Sequence, residues 1–134
     1  MEMVEQIMSY SEKLLYKLGM ELNLSESICE GAYNCLKFVM CVSGDLLYRQ
    51  KLDQIILCCL YISCKKNEDL TKFADIKVVY EKFYIDKSLK RNIFFDLSMS
   101  DGNGDIVTFY NRIFLPVLKP FLPYMAEPYI YFKF

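Results

Sequence analysis

The sequence predicts an all-α protein, a bundle of helices gathered around one buried central helix. Two amphipathic stretches with helical spacing, followed by a third stretch that is apolar nearly all round, carry that prediction. In the first, Val4, Ile7, Met8, Leu14, Leu15, Leu18 and Leu22 recur at the three- and four-residue spacing of one helix face, with Glu5, Glu12, Lys13 and Lys17 opposite. A second helix is expected after Asn23. Ser27 stands three residues before Glu30 in the pattern of a capping box, and Ile28, Ala32, Cys35, Leu36, Val39 and Leu46 supply its apolar face, weakened near Gly44.

From Leu52 to Cys64 the run "LDQIILCCLYISC" has no polar face, so as a helix it must be surrounded by protein. A buried strand is the rival reading, since Ile is abundant and the apolar run is short. The absence of Gly or Pro punctuation and the length of the run favour helix. "KKNED" then reads as a solvated connection, Phe73 to Phe83 as a fourth helix with Ile76, Val79, Tyr80 and Phe83 inward, and Lys87 to Leu97 as a fifth. After the turn-rich "SMSDGNGD", Ile106 to Tyr124 carries Ile106, Phe109, Tyr110, Ile113, Phe114 and Val117 on an apolar pattern interrupted by Pro116, Pro120 and Pro123.

The 134 residues fit one domain spanning 1–134, without an internal repeat or a linker composition. At 54% hydrophobic and 25% charged residues, with 4 Pro and 5 Gly, the chain has the means to fill a core and to spare some apolar surface for binding. A formal net charge of -1 gives no long-range attraction to phosphate, so direct nucleic-acid binding is not expected. The longest apolar run, Ile55 to Ile62, falls far short of the roughly 20 residues of a membrane span. The first residues lack the basic flank and cleavage site of a signal peptide, and an intracellular location is expected. The 6 cysteines form no CxxC and His is absent, which removes the common structural zinc arrangements and suggests buried thiols in a reducing compartment.

Catalysis has little to draw on. Without His there is no Ser–His or Cys–His pair, no Gly-rich phosphate cradle is present, and most acids fall on expected solvated faces. Cys58 and Cys59, on the all-apolar stretch, are expected to be core residues with raised thiol pKa values. Asp101, Asn103 and Asp105 match the first three ligands of a calcium loop, but Ile106 replaces its Gly and Arg112 its bidentate Glu. A turn in which Asp101 or Asp105 caps the next helix is the simpler reading. A non-enzymatic protein without metal or cofactor is therefore expected.

Two segments resemble the B half of the retinoblastoma pocket-protein family. Leu52, Asp53, Gln54, Ile55, Cys58, Tyr61 and Lys65 stand at the positions of that family's Leu-Asp-Gln-Ile run and the Cys, Tyr and Lys that follow it, and Phe109, Tyr110, Asn111 and Phe114 repeat its Phe-Tyr-Asn-x-x-Phe pattern. "DLTKF", ending at Phe73, and Tyr80 seven residues on also fit. The resemblance implies a cyclin-like fold and a groove for an extended Leu-x-Cys-x-Glu peptide. Carried over position by position, the groove comprises Tyr61, Lys65, Phe73, Ala74, Val107, Tyr110, Asn111, Leu115 and Lys119, with the backbone amides around Phe73 and Ala74 receiving the peptide Glu and Lys65, Lys72 and Lys119 forming a basic rim. It implies a nuclear, cell-cycle-linked transcriptional role through chromatin regulators carrying the peptide, and a companion A half.

The spacing agrees with a shared face independently: Tyr61 and Lys65 are one helical turn apart, as are Val107, Tyr110 and Asn111. Asn111 has both the donor and the acceptor that an extended peptide backbone needs, and Tyr110 a hydroxyl. The sequence departs from the family in three ways: it is too short to hold an A half as well, Ala74 stands where relatives tend to carry Lys, and Pro116 interrupts the last helix, where a kink is expected to displace Lys119. Two other functional readings remain open from sequence: a cyclin-type domain binding a kinase or a general transcription complex, and a helical enzyme or structural oligomer.

Overall fold

A computed structural model describes residues 2–49, 52–86 and 109–120, with side chains at 4–41, 52–82 and 109–120. The described residues are all-helical: α1 (Glu2–Leu22), α2 (Glu26–Arg49), α3 (Leu52–Lys66), α4 (Phe73–Asp86), a π-helical turn (Tyr110–Phe114) and α5 (Leu115–Leu118). Among them no helix is long and apolar enough to cross a membrane. The expected helix at Lys87 to Leu97 and the "SMSDGNGD" loop lie outside the described residues.

α1 buries Ile7, Leu14, Leu15 and Leu18, with Met8 and Leu22 packed at the edge of the core. Val4, assigned to the same face, is exposed because it lies in the first turn, beyond the reach of that core. The helix ends in a Schellman motif. Asn23 adopts the left-handed conformation at φ 59°, the Leu24 N–H donates to the Gly19 carbonyl at 2.8 Å, and the Asn23 N–H to that of Met20 at 3.3 Å. Asn tolerates this conformation better than most residues that carry a Cβ.

α2 is capped two residues earlier than expected. The Ser25 hydroxyl, not that of Ser27, accepts the Ile28 N–H at 3.3 Å, so Ser27 sits inside the first turn, exposed, and the Ser27–Glu30 box does not form. Ile28, Ala32, Cys35, Leu36 and Val39 are buried, as the periodicity requires, and the helix runs through Gly44 to Arg49 unbroken. Cys41 is exposed, whereas Cys29, Cys35, Cys58, Cys59 and Cys64 are buried. Its place on the outer face of α2, two residues past buried Val39, explains the difference.

α3 is the axis of the fold. It packs against α1, α2, α4 and the π-helical turn, and from Leu52 to Cys64 every residue but Tyr61 is buried. The strand alternative is thereby excluded. Burial pushes the Cys58 and Cys59 thiols well above their ordinary value. The close approach to α2 depends on Gly31, where an added Cβ would lie 2.7 Å from Ser63 Oγ. That same hydroxyl donates to the Ile28 carbonyl at 2.7 Å, so the buried Ser63 is satisfied by the helix it packs against.

One acid departs from the expectation of solvated faces. Asp53, in the first turn of α3, is buried; it accepts hydrogen bonds from the Tyr10 hydroxyl at 2.8 Å and from the Tyr80 hydroxyl. Three helices meet in that carboxylate: α1 through Tyr10, α3 through Asp53 and α4 through Tyr80. Ile76 and Tyr80 of α4 are buried and Val79 is half-buried, while the side chain of Phe83 lies outside the described set. The exposed Lys82–Glu21 pair, at 3.5 Å, adds a contact between α4 and α1 that solvent screens.

Two predictions test this packing. Gly31→Ala drives a methyl into Ser63 Oγ and should lower unfolding free energy in urea by about 1–3 kcal/mol, the usual cost of overpacking. Burial raises the Asp53 carboxyl from 3.8 to about 6, with the two tyrosine hydroxyls opposing the shift. Between those values the folded chain holds the proton more tightly than the unfolded chain, so this contribution is complete below pH 3.8 and is lost as pH rises through about 6. Asp53→Asn removes that slope. Urea titrations at stepped pH should show the wild-type minus variant difference in stability falling by about 3 kcal/mol between pH 4 and pH 7.

Candidate peptide-binding site

At its C-terminal end α3 emerges from the core, and there the first groove residues appear. Tyr61 and Lys65 are half-buried on one face, with Lys65 Nζ 5.2 Å from the centre of the Tyr61 ring. The chain then turns in a second Schellman motif. Glu68 is left-handed at φ 56°, the Asp69 N–H donates to the Cys64 carbonyl at 2.9 Å, and the Glu68 N–H to that of Lys65 at 3.0 Å. Asp69 Oδ1 accepts the Thr71 N–H at 2.9 Å and also the Thr71 hydroxyl, an Asx turn that reverses the chain into α4.

That reversal lays Phe73 on Tyr61. Their rings stack with centroids 4.0 Å apart and planes at 17°. Tyr110 meets both edge-on, 5.3 Å from Tyr61 and 5.2 Å from Phe73, and stacks on Phe114 at 5.8 Å. Four aromatic rings thus tie the end of α3, the start of α4 and the π-helical turn into one unit. Each such pair adds about 0.5–1.5 kcal/mol beyond its buried area.

The start of α4 leaves two backbone amides without a partner inside the helix. The Lys72 carbonyl accepts the N–H groups of Asp75 and Ile76 at 3.0 and 3.2 Å, which makes Phe73 and Ala74 the first two helical residues, positions whose N–H groups have no acceptor within the helix. Asp75 Oδ2 accepts the Lys72 N–H at 3.0 Å and closes the cap. Asp75 was not singled out in the sequence. Its signal is an acid three residues after the residue that precedes the apolar pattern.

Tyr61, Lys65, Phe73 and Tyr110 are brought together, and Ala74 is exposed beside them at the α4 start. Tyr110 is 2% exposed, and its ring is a wall of the cluster. Burial, chiefly, and nearby Cys and Tyr groups raise its phenol well above the ordinary value, so it stays protonated. Asn111, next in sequence, is exposed, as is Lys119, and Leu115 is half-buried. Phe114, part of the sequence pattern but not of the expected groove, is the buried support of Tyr110. Val107 and the loop residues Asp101, Asn103 and Asp105 lie outside the described residues.

Helices wrapped on a single buried helix, with an aromatic cluster where that helix surfaces, define a cyclin-like helical domain. A family profile described as "Retinoblastoma-associated protein B domain" matches residues 2–103, a span that includes Tyr61, Lys65, Phe73 and Ala74 and ends before Val107. Retinoblastoma-related protein 1 of Arabidopsis thaliana is 36% identical over 109 residues, covering 75% of this chain. The retinoblastoma-related proteins of Vitis vinifera and Ricinus communis are 35% and 36% identical over 75% and 78% of it. The chain belongs to the retinoblastoma-associated protein family, as its B domain. It spans about a tenth of the length of these curated relatives, 11% in each case. No solved structure matches.

The cluster gives a stability test at the site. Phe73, 7% exposed, is gripped by Tyr61 and Tyr110, and Phe73→Ala should lower unfolding free energy by about 3–5 kcal/mol, read by denaturant melts.

Proposed function

We propose that this chain is a non-enzymatic pocket B domain, folded as one unit over residues 1–134, which docks Leu-x-Cys-x-Glu peptides of chromatin and transcription regulators. On this reading it works in the nucleus, in cell-cycle-linked transcriptional control, beside a companion A half. The observation that supports it is the convergence of three elements: the Tyr61–Lys65 face of α3, the acceptor-free amides of Phe73 and Ala74, and the turn that carries Tyr110 and Asn111.

An extended peptide laid on helices keeps its own N–H and C=O groups unpaired, and it binds only where side chains answer them. Asn111 offers a donor and an acceptor from an exposed position, next to a residue locked into the core. The peptide Leu and Cys go to the apolar surface beside Tyr61 and Leu115, and its Glu goes to the α4 start, where N–H groups and the helix dipole favour negative charge. Lys65, Lys72 and Lys119 speed the encounter with an acidic ligand more than they hold it.

Asn111→Ala should weaken binding of a fluorescein-labelled Leu-x-Cys-x-Glu peptide by about 1–3 kcal/mol in anisotropy titrations. Because Asn111 is exposed, its melting temperature should not move. Unchanged affinity would remove Asn111 from the site, and absence of binding by the unmodified chain would end the peptide reading.

A further inference from the structure

The π-helical turn and the proline that follows it have one cause. Over Tyr110–Phe114 the bonding is wide, and the Leu115 N–H donates to the Tyr110 carbonyl, five residues back rather than four. α5 follows at once, with Pro116 in its first turn, and resumes ordinary bonding as the Lys119 N–H donates to the Leu115 carbonyl. Proline has no N–H to give the Arg112 carbonyl, and in a continuous α-helix its ring would strike that oxygen. A π turn takes up one extra residue ahead of the proline and moves the carbonyl off the line of the ring.

The extra residue also redirects side chains. One residue of α-helix is about 100° of rotation, so side chains before a π turn are out of phase, by that amount, with a continuous helix drawn back from the residues after it. The register is fixed at both ends of the turn, by Tyr110 at its start, wedged against Tyr61 and Phe73, and by the buried Phe114 at its end with Leu118 one turn further on. Asn111 stands between these two anchors and is exposed.

We propose that Pro116 is the positioning residue for Asn111: by holding Tyr110–Phe114 in the π form, it sets the direction in which Asn111 leaves the helix between the buried Tyr110 and Phe114. This rests on the peptide-docking reading and adds the residue that aims its hydrogen-bonding side chain. Pro116 is exposed, and its effect on a ligand runs through backbone form.

The test uses the full chain in four forms, wild type, Asn111→Ala, Pro116→Ala and the double variant, with melting temperature, amide hydrogen exchange and anisotropy titration of the labelled Leu-x-Cys-x-Glu peptide. Alanine at 116 restores an N–H and favours α-helix, so Pro116→Ala should melt at or above the wild-type temperature, with a protected amide at 116. Its peptide affinity should fall by about tenfold, and the Asn111→Ala penalty should shrink to less than about twofold in that background, since the two changes then disturb one interaction. Pro116→Ala binding at wild-type strength, with the Asn111 penalty intact, overturns this inference and leaves the peptide reading standing. Weaker binding with a lowered melting temperature and an undiminished Asn111 penalty assigns Pro116 a merely structural role and overturns it as well. A wild-type chain that binds no peptide overturns both.

Discussion

Burial of α3 on every side is the constraint from which the rest of the structure follows. A helix with no wet face must answer each of its polar groups inside the protein, because an unanswered one costs about 1–3 kcal/mol. Ser63 is answered by a carbonyl of α2, and Asp53 by hydroxyls carried on α1 and α4. Those answers fix where the neighbouring helices lie. α2 comes closest because Gly31 leaves room for Ser63, and α1 and α4 are held to the opposite end by a shared carboxylate.

The same constraint limits where α3 can be reached from outside. Only at Tyr61 and beyond does α3 meet solvent, so a ligand that recognises this helix has to meet it there. The Schellman and Asx turns that follow are local chemistry, but their effect is to return the chain over the exit and stack Phe73 on Tyr61. The aromatic cluster then does for the surface what Leu and Ile do for the core: it makes three separate elements share one position. Side chains on its rim inherit that rigidity without contributing to it.

Much of this was legible in the sequence, for a physical reason. Helical periodicity records which side of a helix faces protein, and in α1 and α2 it named nearly all of the buried residues. It failed at Val4, in the first turn, where burial depends on how far the core extends; Cys41, expected as a buried thiol from its residue type, lies off the apolar face that the periodicity marks. Capping is decided by backbone geometry over one or two residues, which is why the spacing to Glu30 pointed to Ser27 while Ser25 is the cap. The acid missed as structural, Asp53, gave a signal of a kind: a charge inside an otherwise apolar helix needs partners, and its partners lie 43 and 27 residues away, beyond the range of any local pattern.

The site shows the same division between local and distant information. The four-residue spacing of Tyr61 and Lys65 was enough to put both on one face, and a ring–cation contact joins them. For Tyr110 and Asn111, spacing alone implied two adjacent side chains on one accessible face, whereas one is core and the other exposed. Their separation follows from helix geometry: consecutive residues point about 100° apart, so with Tyr110 drawn into the ring cluster Asn111 is turned outward. A proline in the sequence signals that an α-helix must break, kink or widen; which of these occurs is settled by what the neighbouring side chains can bury. Here two large aromatic side chains four residues apart share the buried face, and the widened turn between them accommodates the proline that follows.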